Sequence, residues 1–201
     1  MLRPRATVPS DSHGIITVMR SRSLAASLFI IFCFALEADV AGCGCDPARP
    51  ETMQARECSL CKEAENQPSS QEVFFLKDIN PRKPNRWLVL PRAHSNAGHP
   101  MHDLPPDMQT RLWKAAMAKG KELWGDGWGI AYNGEKVRTQ CHGHLHIGKL
   151  LSGLAPGKFI DVTGPDQIHI MNDATGIWVH PVGNKLRVHY GEQITETTLM
   201  R

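Results

Sequence analysis

The sequence predicts an α+β fold in which one helix crosses an antiparallel meander sheet, followed by a β-rich C-terminal extension. Two observations carry this prediction. Short apolar runs bounded by proline, glycine and asparagine, which are typical of strands, recur from residue 71 to residue 190. One longer segment instead places its apolar residues at helical spacing: Met108, Leu112, Trp113, Ala116, Met117, Leu123 and Trp124.

The segment up to residue 149 predicts four strands and one helix. The first two strands, at 71–78 and 86–90, are joined by a proline-rich turn and should pair as an antiparallel hairpin. The helix begins at Pro105-Pro106 and ends at Gly125-Asp126-Gly127. A third strand at 128–132 precedes a fourth, which carries three histidines and ends near residue 149.

Residues 151–201 form the extension. Short strands are expected at 159–162, 167–170, 176–182 and 185–190. The Gly183-Asn184 pair between the last two predicts a hairpin. Its histidines are expected to be structural or surface residues, and the extension itself could be a lid, a dimer element or an added β-unit.

The N-terminal residues 1–42 resemble an export signal. Arg20 and Arg22 precede an apolar run over 24–36, and the small residues 40–42 follow it. The shortest form of this signal begins at Met19, so residues 1–18 are interpreted as an upstream extension from a mis-set start codon. We expect an exported protein, either periplasmic or membrane-anchored and facing the periplasm, through ordinary cleavage, lipidation of Cys43 or an uncleaved anchor.

The predicted organisation is therefore a targeting segment over 1–42, a linker over 43–55, a catalytic domain over 56–150 and the extension. The formal net charge of +3 is mild and does not indicate a nucleic-acid-binding surface.

Cys58-Ser-Leu-Cys61 is a C-x-x-C pair with three open interpretations: half of a zinc site, a redox pair or a short disulfide. Tetrahedral zinc needs two further ligands, for which His94 and His142 are candidates. An oxidising compartment would also allow disulfides.

His142, His144 and His146 alternate with small or apolar residues. On a strand, alternate side chains share one face, so the three imidazoles are expected to project together. Such a set suits a metal site or a site that handles phosphate, because histidine is the side chain that titrates nearest neutral pH.

The pattern His142-Gly-His-Leu-His-Ile-Gly148 resembles the His-φ-His-φ-His-φ-φ signature of the histidine triad (HIT) superfamily of nucleotide hydrolases and transferases, where φ is apolar. The strand pair ending in Pro91-Arg-Ala-His94, the preceding Asn133 and the hydroxyl of Thr139 match in the same order. The sequence departs from the family pattern at Arg86, where histidine is usual, and residues 151–201 lie outside the resemblance.

The resemblance implies that His144 attacks phosphorus as the nucleophile, that His146 binds a phosphate oxygen and that His142 supports the site. It implies positioning roles for Asn133 and Thr139. Substrate contacts are expected from Leu76, Asp78, Ile79, Arg138 and Gln140. In zinc-binding members of the family, residues at the positions of Cys58, Cys61, His94 and His142 hold the metal.

Two other functions remain open at this point. Arg138-Thr139-Gln140 before the triad, together with the export signal, resembles the HIT-related bacterial CDP-diacylglycerol diphosphatases, whose substrate lies in the membrane. A non-catalytic zinc-binding domain is the third possibility. Neither enzymatic function implies an organic cofactor. HIT proteins are often homodimers, so the resemblance makes a homodimer one expectation for this chain.

Overall fold

A single antiparallel sheet forms the centre of the protein. The computed structural model describes residues 43–93, 101–155, 157–171 and 175–201. Seven strands occur within these residues: β1 (Val73–Lys77), β2 (Trp87–Pro91), β3 (Trp128–Tyr132), β4 (Leu145–Lys149), β5 (Lys158–Val162), β6 (Gly176–Val182) and β7 (Lys185–Glu192). The two α-helices of the same part of the chain are α1 (Ser59–Glu65) and α2 (Pro106–Trp124). The α+β class predicted from the sequence is confirmed.

The strand order is β1-β2-β4-β3-β6-β7-β5, which differs from the simple meander that we predicted. The β1–β2 hairpin forms as expected. After β2 the chain crosses the sheet in α2 and re-enters one position farther out as β3. Strand β4 then fills the gap, pairing with β2 on one side and β3 on the other.

Helix α2 closes one face of the sheet. It begins at Pro106, where the missing N–H would have no partner within the helix, and ends at Trp124, followed by Gly125, whose φ of 55° suits glycine. Leu112, Trp113 and Ala116 are fully buried against the sheet. Burying each large apolar side chain contributes about 1.5–3 kcal/mol, so this face supplies much of the stability.

The opposite face is covered by α1 and by the C-terminal residues. Leu60 and Ala64 of α1 pack on Phe74, Leu88 and Leu90. The linker predicted over 43–55 contains a 3₁₀ turn at Pro50–Gln54, and a second 3₁₀ turn at Arg56–Cys58 leads into α1.

The extension joins the same sheet, since β6 pairs with β3. The predicted β6–β7 hairpin is confirmed, and its register runs from Gly176 opposite Glu192 to Val182 opposite Lys185. The strand predicted at 167–170 is wrong: residues 165–167 form a 3₁₀ turn, and Ile168 and Ile170 are buried in the core beside α2.

Two disulfides occur among the described residues, and one of them joins the N-terminal residues to the β3–β4 connection. Cys43 pairs with Cys141 and Cys45 pairs with Cys58, whereas Cys61 is a buried free thiol. The backbone N–H of Cys141 also donates to the carbonyl of Glu57 at 2.8 Å. Among the described residues, no helix has the length and apolarity required to cross a membrane. The predicted targeting segment 1–42 and the candidate ligand His94 lie outside those residues.

Candidate active site

A cleft of about 730 Å³ opens on the sheet face opposite α2. The loop after β1, the β3–β4 connection, strand β4 and the C-terminal segment all contribute to its wall. Nine of the site residues predicted from the sequence line this cleft: Leu76, Asp78, Ile79, Asn133, Arg138, Thr139, Gln140, His144 and His146. Residues from two segments more than 50 positions apart are thus brought together.

The three histidines are not placed equivalently. Strand β4 begins only at Leu145, so the expectation that all three project from one strand face is wrong. His142 is fully buried behind the cleft, where its Nε2 lies 2.8 Å from the carbonyl of Pro91. Because a carbonyl only accepts, Nε2 of His142 carries the proton in this contact.

His144 lies at the cleft wall just before β4 and is 7% exposed. Its Nδ1 is 2.9 Å from the carbonyl of His142, so Nδ1 donates and Nε2 keeps its lone pair. Burial lowers the pKa of His144 below 6.5, although the hydrogen bond to the His142 carbonyl acts in the opposite direction. The imidazole is therefore neutral at pH 7.

His146 lies on β4 between Leu88 of β2 and Ala131 of β3. Its ring meets that of His144 edge-on, with 4.8 Å between the ring centroids. Burial, followed by the positive potential of His144, Lys83 and Arg86, holds the pKa of His146 well below 6.5. We refer to His144 and His146 as the cleft histidines.

The predicted zinc set does not fit this arrangement. Cys58 is bonded to Cys45, and Nε2 of His142 is engaged by Pro91. The Cys61 thiol is buried, which raises its pKa to about 12 and opposes the thiolate that zinc requires. A different group of sulfurs, those of Cys45, Cys58 and Cys141, lies within 4.8 Å of one another.

The polar residues of the β3–β4 connection are held by neighbours. Arg138 is 5% exposed and its Nη2 donates to Glu135 at 2.7 Å. Gln140 accepts from Ser59 at 2.8 Å and donates to the carbonyl of Arg56 at 3.1 Å. Both ends of the Gln140 amide are thus engaged, which makes it an anchor between this connection and α1.

The loop after β1 forms the outer rim of the cleft. Asp78 accepts a hydrogen bond from the backbone N–H of Asn80 at 2.9 Å, which fixes the loop in an Asx turn. Ile79 beside it is 94% exposed. An apolar side chain so placed can contact a ligand that enters the cleft.

Three cleft-associated residues had no assigned role in the sequence-based prediction: Glu196, Lys83 and Arg86. Nζ of Lys83 lies 2.8 and 2.7 Å from the two carboxylate oxygens of Glu196, and Nη1 of Arg86 lies 2.8 Å from Oε2. That same oxygen is 3.5 Å from Nδ1 of His146.

The C-terminal segment that carries Glu196 is fixed by buried contacts. The guanidinium of Arg86 is 2% exposed and donates to the carbonyls of Glu196, Leu199 and Met200. Asn133 accepts from the backbone N–H of Glu196 at 3.0 Å. Asn133, predicted to position a substrate, thus holds this segment against the cleft.

Comparison of the sequence with models of known protein families gave no match, and comparison with curated proteins gave none either.

Proposed function

We propose that the protein is a nucleotide phosphohydrolase or nucleotidyl transferase of the HIT type, which cleaves a P–O–P or P–N bond through a covalent nucleotidyl-histidine. The observation that carries the proposal is the state of His144. It is buried, neutral and held by the His142 carbonyl so that the lone pair is on Nε2. A nucleophilic imidazole requires this tautomer.

The proposed reaction has two displacements at one phosphorus. Nε2 of His144 attacks the α-phosphorus, the new P–N bond forms, and the bond to the leaving oxygen or nitrogen breaks with its electron pair. Water, or an acceptor alcohol in a transfer reaction, then attacks phosphorus and releases His144. His146, 4.8 Å away between ring centroids, would interact with the phosphoryl oxygens as negative charge develops on them.

The rest of the cleft suits a nucleotide. Leu76 and Ile79 offer apolar contacts for a base, and Asp78 beside them offers a carboxylate to ribose hydroxyls. Lys83 and Arg138 bring positive charge near the position of the phosphates, although each is paired with a glutamate. Thr139 contributes a hydroxyl to the same wall.

The proposal is tested by incubating the purified protein with adenosine phosphoramidates, dinucleoside polyphosphates and CDP-diacylglycerol. We expect turnover of at least one of them and an acid-labile phosphohistidine adduct on the peptide containing His144. His144→Ala should abolish both, whereas the matched control His169→Ala, an exposed histidine far along the chain, should retain both. Turnover by His144→Ala would refute the mechanism.

A lipid-linked nucleotide is a second candidate substrate, and a neighbouring cleft favours it. This second cleft has a volume of about 350 Å³ and shares Lys83 and Glu196 with the first. It combines cationic residues with apolar ones, namely Arg86, Arg201, Leu151 and Leu199. Such a lining suits a leaving phosphate esterified to an apolar alcohol, as in CDP-diacylglycerol. Preference for CDP-diacylglycerol over soluble dinucleotides in the same assay would select this activity.

A zinc-binding role would require the disulfides to be reduced, and the sulfurs of Cys45, Cys58 and Cys141 are then the candidates. Zinc would act there as a structural cross-link. Elemental analysis and non-reducing peptide mapping of the same sample distinguish the two states. The two disulfides support export to an oxidising compartment such as the periplasm.

A further inference from the structure

The C-terminal segment brings one carboxylate, that of Glu196, to the cleft histidines from 50 residues beyond His146 along the chain. Oε2 of Glu196 lies 3.5 Å from Nδ1 of His146. That nitrogen is buried and has no hydrogen-bond partner among the described residues. A distance of 3.5 Å is longer than a charge-assisted hydrogen bond, which spans about 2.7–2.9 Å, so a small shift of the ring would form one.

The carboxylate is held firmly on its other sides. Lys83 binds both of its oxygens and Arg86 binds Oε2. Asn133 holds the backbone N–H of the same residue. These contacts fix the position of the carboxylate relative to His146.

The groups around His146 oppose its protonation in the absence of a ligand. His144, Lys83 and Arg86 are positive or potentially positive, and the ring is buried. Glu196 is the negative group that faces it. A bound phosphate would place a second anion near the ring, and an imidazolium between two anions is stabilised by both.

We propose that Glu196 is a positioning residue for the reaction. When phosphate binds, His146 takes up one proton from solvent, and the carboxylate of Glu196 accepts a hydrogen bond from Nδ1–H of the resulting imidazolium, which leaves Nε2–H to donate to the phosphoryl oxygens. This role rests on the proposed function. No bond is made or broken at Glu196 and no proton is transferred to it. The C-terminal extension is then part of the active site, since it supplies this carboxylate.

The direct test measures the protonation of His146 by NMR in protein labelled with ¹³C-histidine, with its signal assigned through His146→Asn. Titrations are run without ligand and with saturating inorganic phosphate. Glu196→Gln keeps the size and the accepting oxygen but removes the charge. We expect it to lower the pKa of His146 by about one pH unit or more in the phosphate-bound protein. Glu196→Asp should recover part of the difference.

Two further variants test whether the change in the pKa of His146 depends on the charge that faces it. Lys83→Met removes a cation and should move the pKa of His146 in the opposite direction. Glu122→Gln, on the exposed side of α2 and paired with Lys119, is the matched control and should leave it unchanged. A pKa of His146 that is the same in Glu196→Gln and the wild type would overturn the proposal.

Kinetics supply a second readout once a substrate is known. We expect Glu196→Gln to lower kcat at least about 10-fold with little change in KM, and to move the high-pH limb of kcat to lower pH. A fall in kcat with an unmoved limb would show a purely structural role and refute the inference. The proposed function fails separately, through turnover by His144→Ala, and that outcome leaves the NMR titration interpretable.

Discussion

The disulfide between Cys43 and Cys141 should be the largest single cross-link contribution to stability. It closes a loop of 98 residues, whereas the bond between Cys45 and Cys58 closes one of 13. In the chain-entropy treatment these loops correspond to about 4.7 and about 2.9 kcal/mol. With the short loop already closed, the long one is effectively about 85 residues and still contributes about 4.6 kcal/mol.

Urea unfolding of the double variants Cys43→Ser/Cys141→Ser and Cys45→Ser/Cys58→Ser measures both terms. We expect the first variant to lose more free energy of unfolding than the second, by about 1–2 kcal/mol. The wild type under a strong reductant should lose most of the two contributions together. If the first variant loses less than the second, the pairing or the entropic reasoning is wrong. In that case, stoichiometric zinc on the same cysteines would show that they bind a metal instead of forming disulfides.

Three further predictions concern stability. Burial lowers the pKa of both cleft histidines, so the unfolded state binds more protons than the folded state below about pH 6.5. The free energy of unfolding should therefore fall as the pH drops through that region. A variant with both cleft histidines changed to asparagine should show a weaker dependence of this free energy on pH. Arg86→Met should lower the free energy of urea unfolding by about 3–5 kcal/mol, because it removes a buried donor from the Glu196 carboxylate and from three backbone carbonyls. Arg187→Met, in a partly exposed pair, should lower it by less than about 1 kcal/mol. Gly176→Ala should lower the free energy of thermal unfolding by about 1–3 kcal/mol, because the added Cβ would lie 2.6 Å from a backbone oxygen. Gly127→Ala is the control, since a Cβ there meets no atom within 4 Å. Equal effects of the two substitutions would contradict the steric explanation.

The elements that the sequence predicted well are those specified by local pattern. Helix α2 has an apolar stripe, a proline at its start and a glycine at its end, and the observed bounds follow these signals. The β6–β7 hairpin is specified by Gly183-Asn184 between two alternating runs. Such signals lie in residues that are adjacent in the sequence, so they can be recognised before the fold is known.

Long-range pairings carry no local signal. Lys83 and Arg86 meet Glu196 across 113 and 110 residues, and nothing in the spacing of these residues links them. The pairing of Cys58 with Cys45 was missed for a related reason. The C-x-x-C spacing drew attention to Cys61, but the short helix α1 begins between the two cysteines and leaves Cys61 unbonded and buried.

The different placement of the three histidines follows from where β4 begins. Extending the β2–β4 register beyond Leu145 would place Gly143 opposite Pro91. Proline has no backbone N–H to donate, so the ladder is not sustained there. The carbonyl of Pro91 instead accepts from His142, and the carbonyl of His142 accepts from Nδ1 of His144.

Had β4 continued back to residue 142, the backbone carbonyls of this stretch would have been taken up by strand pairing. The His142 carbonyl would then have been less able to fix the tautomer of His144. The irregular backbone before β4 is therefore what allows a buried imidazole to keep its lone pair on Nε2. The alternating sequence pattern identified two histidines that line the cleft, His144 and His146, but the proposed chemistry depends on the residue at which the strand begins.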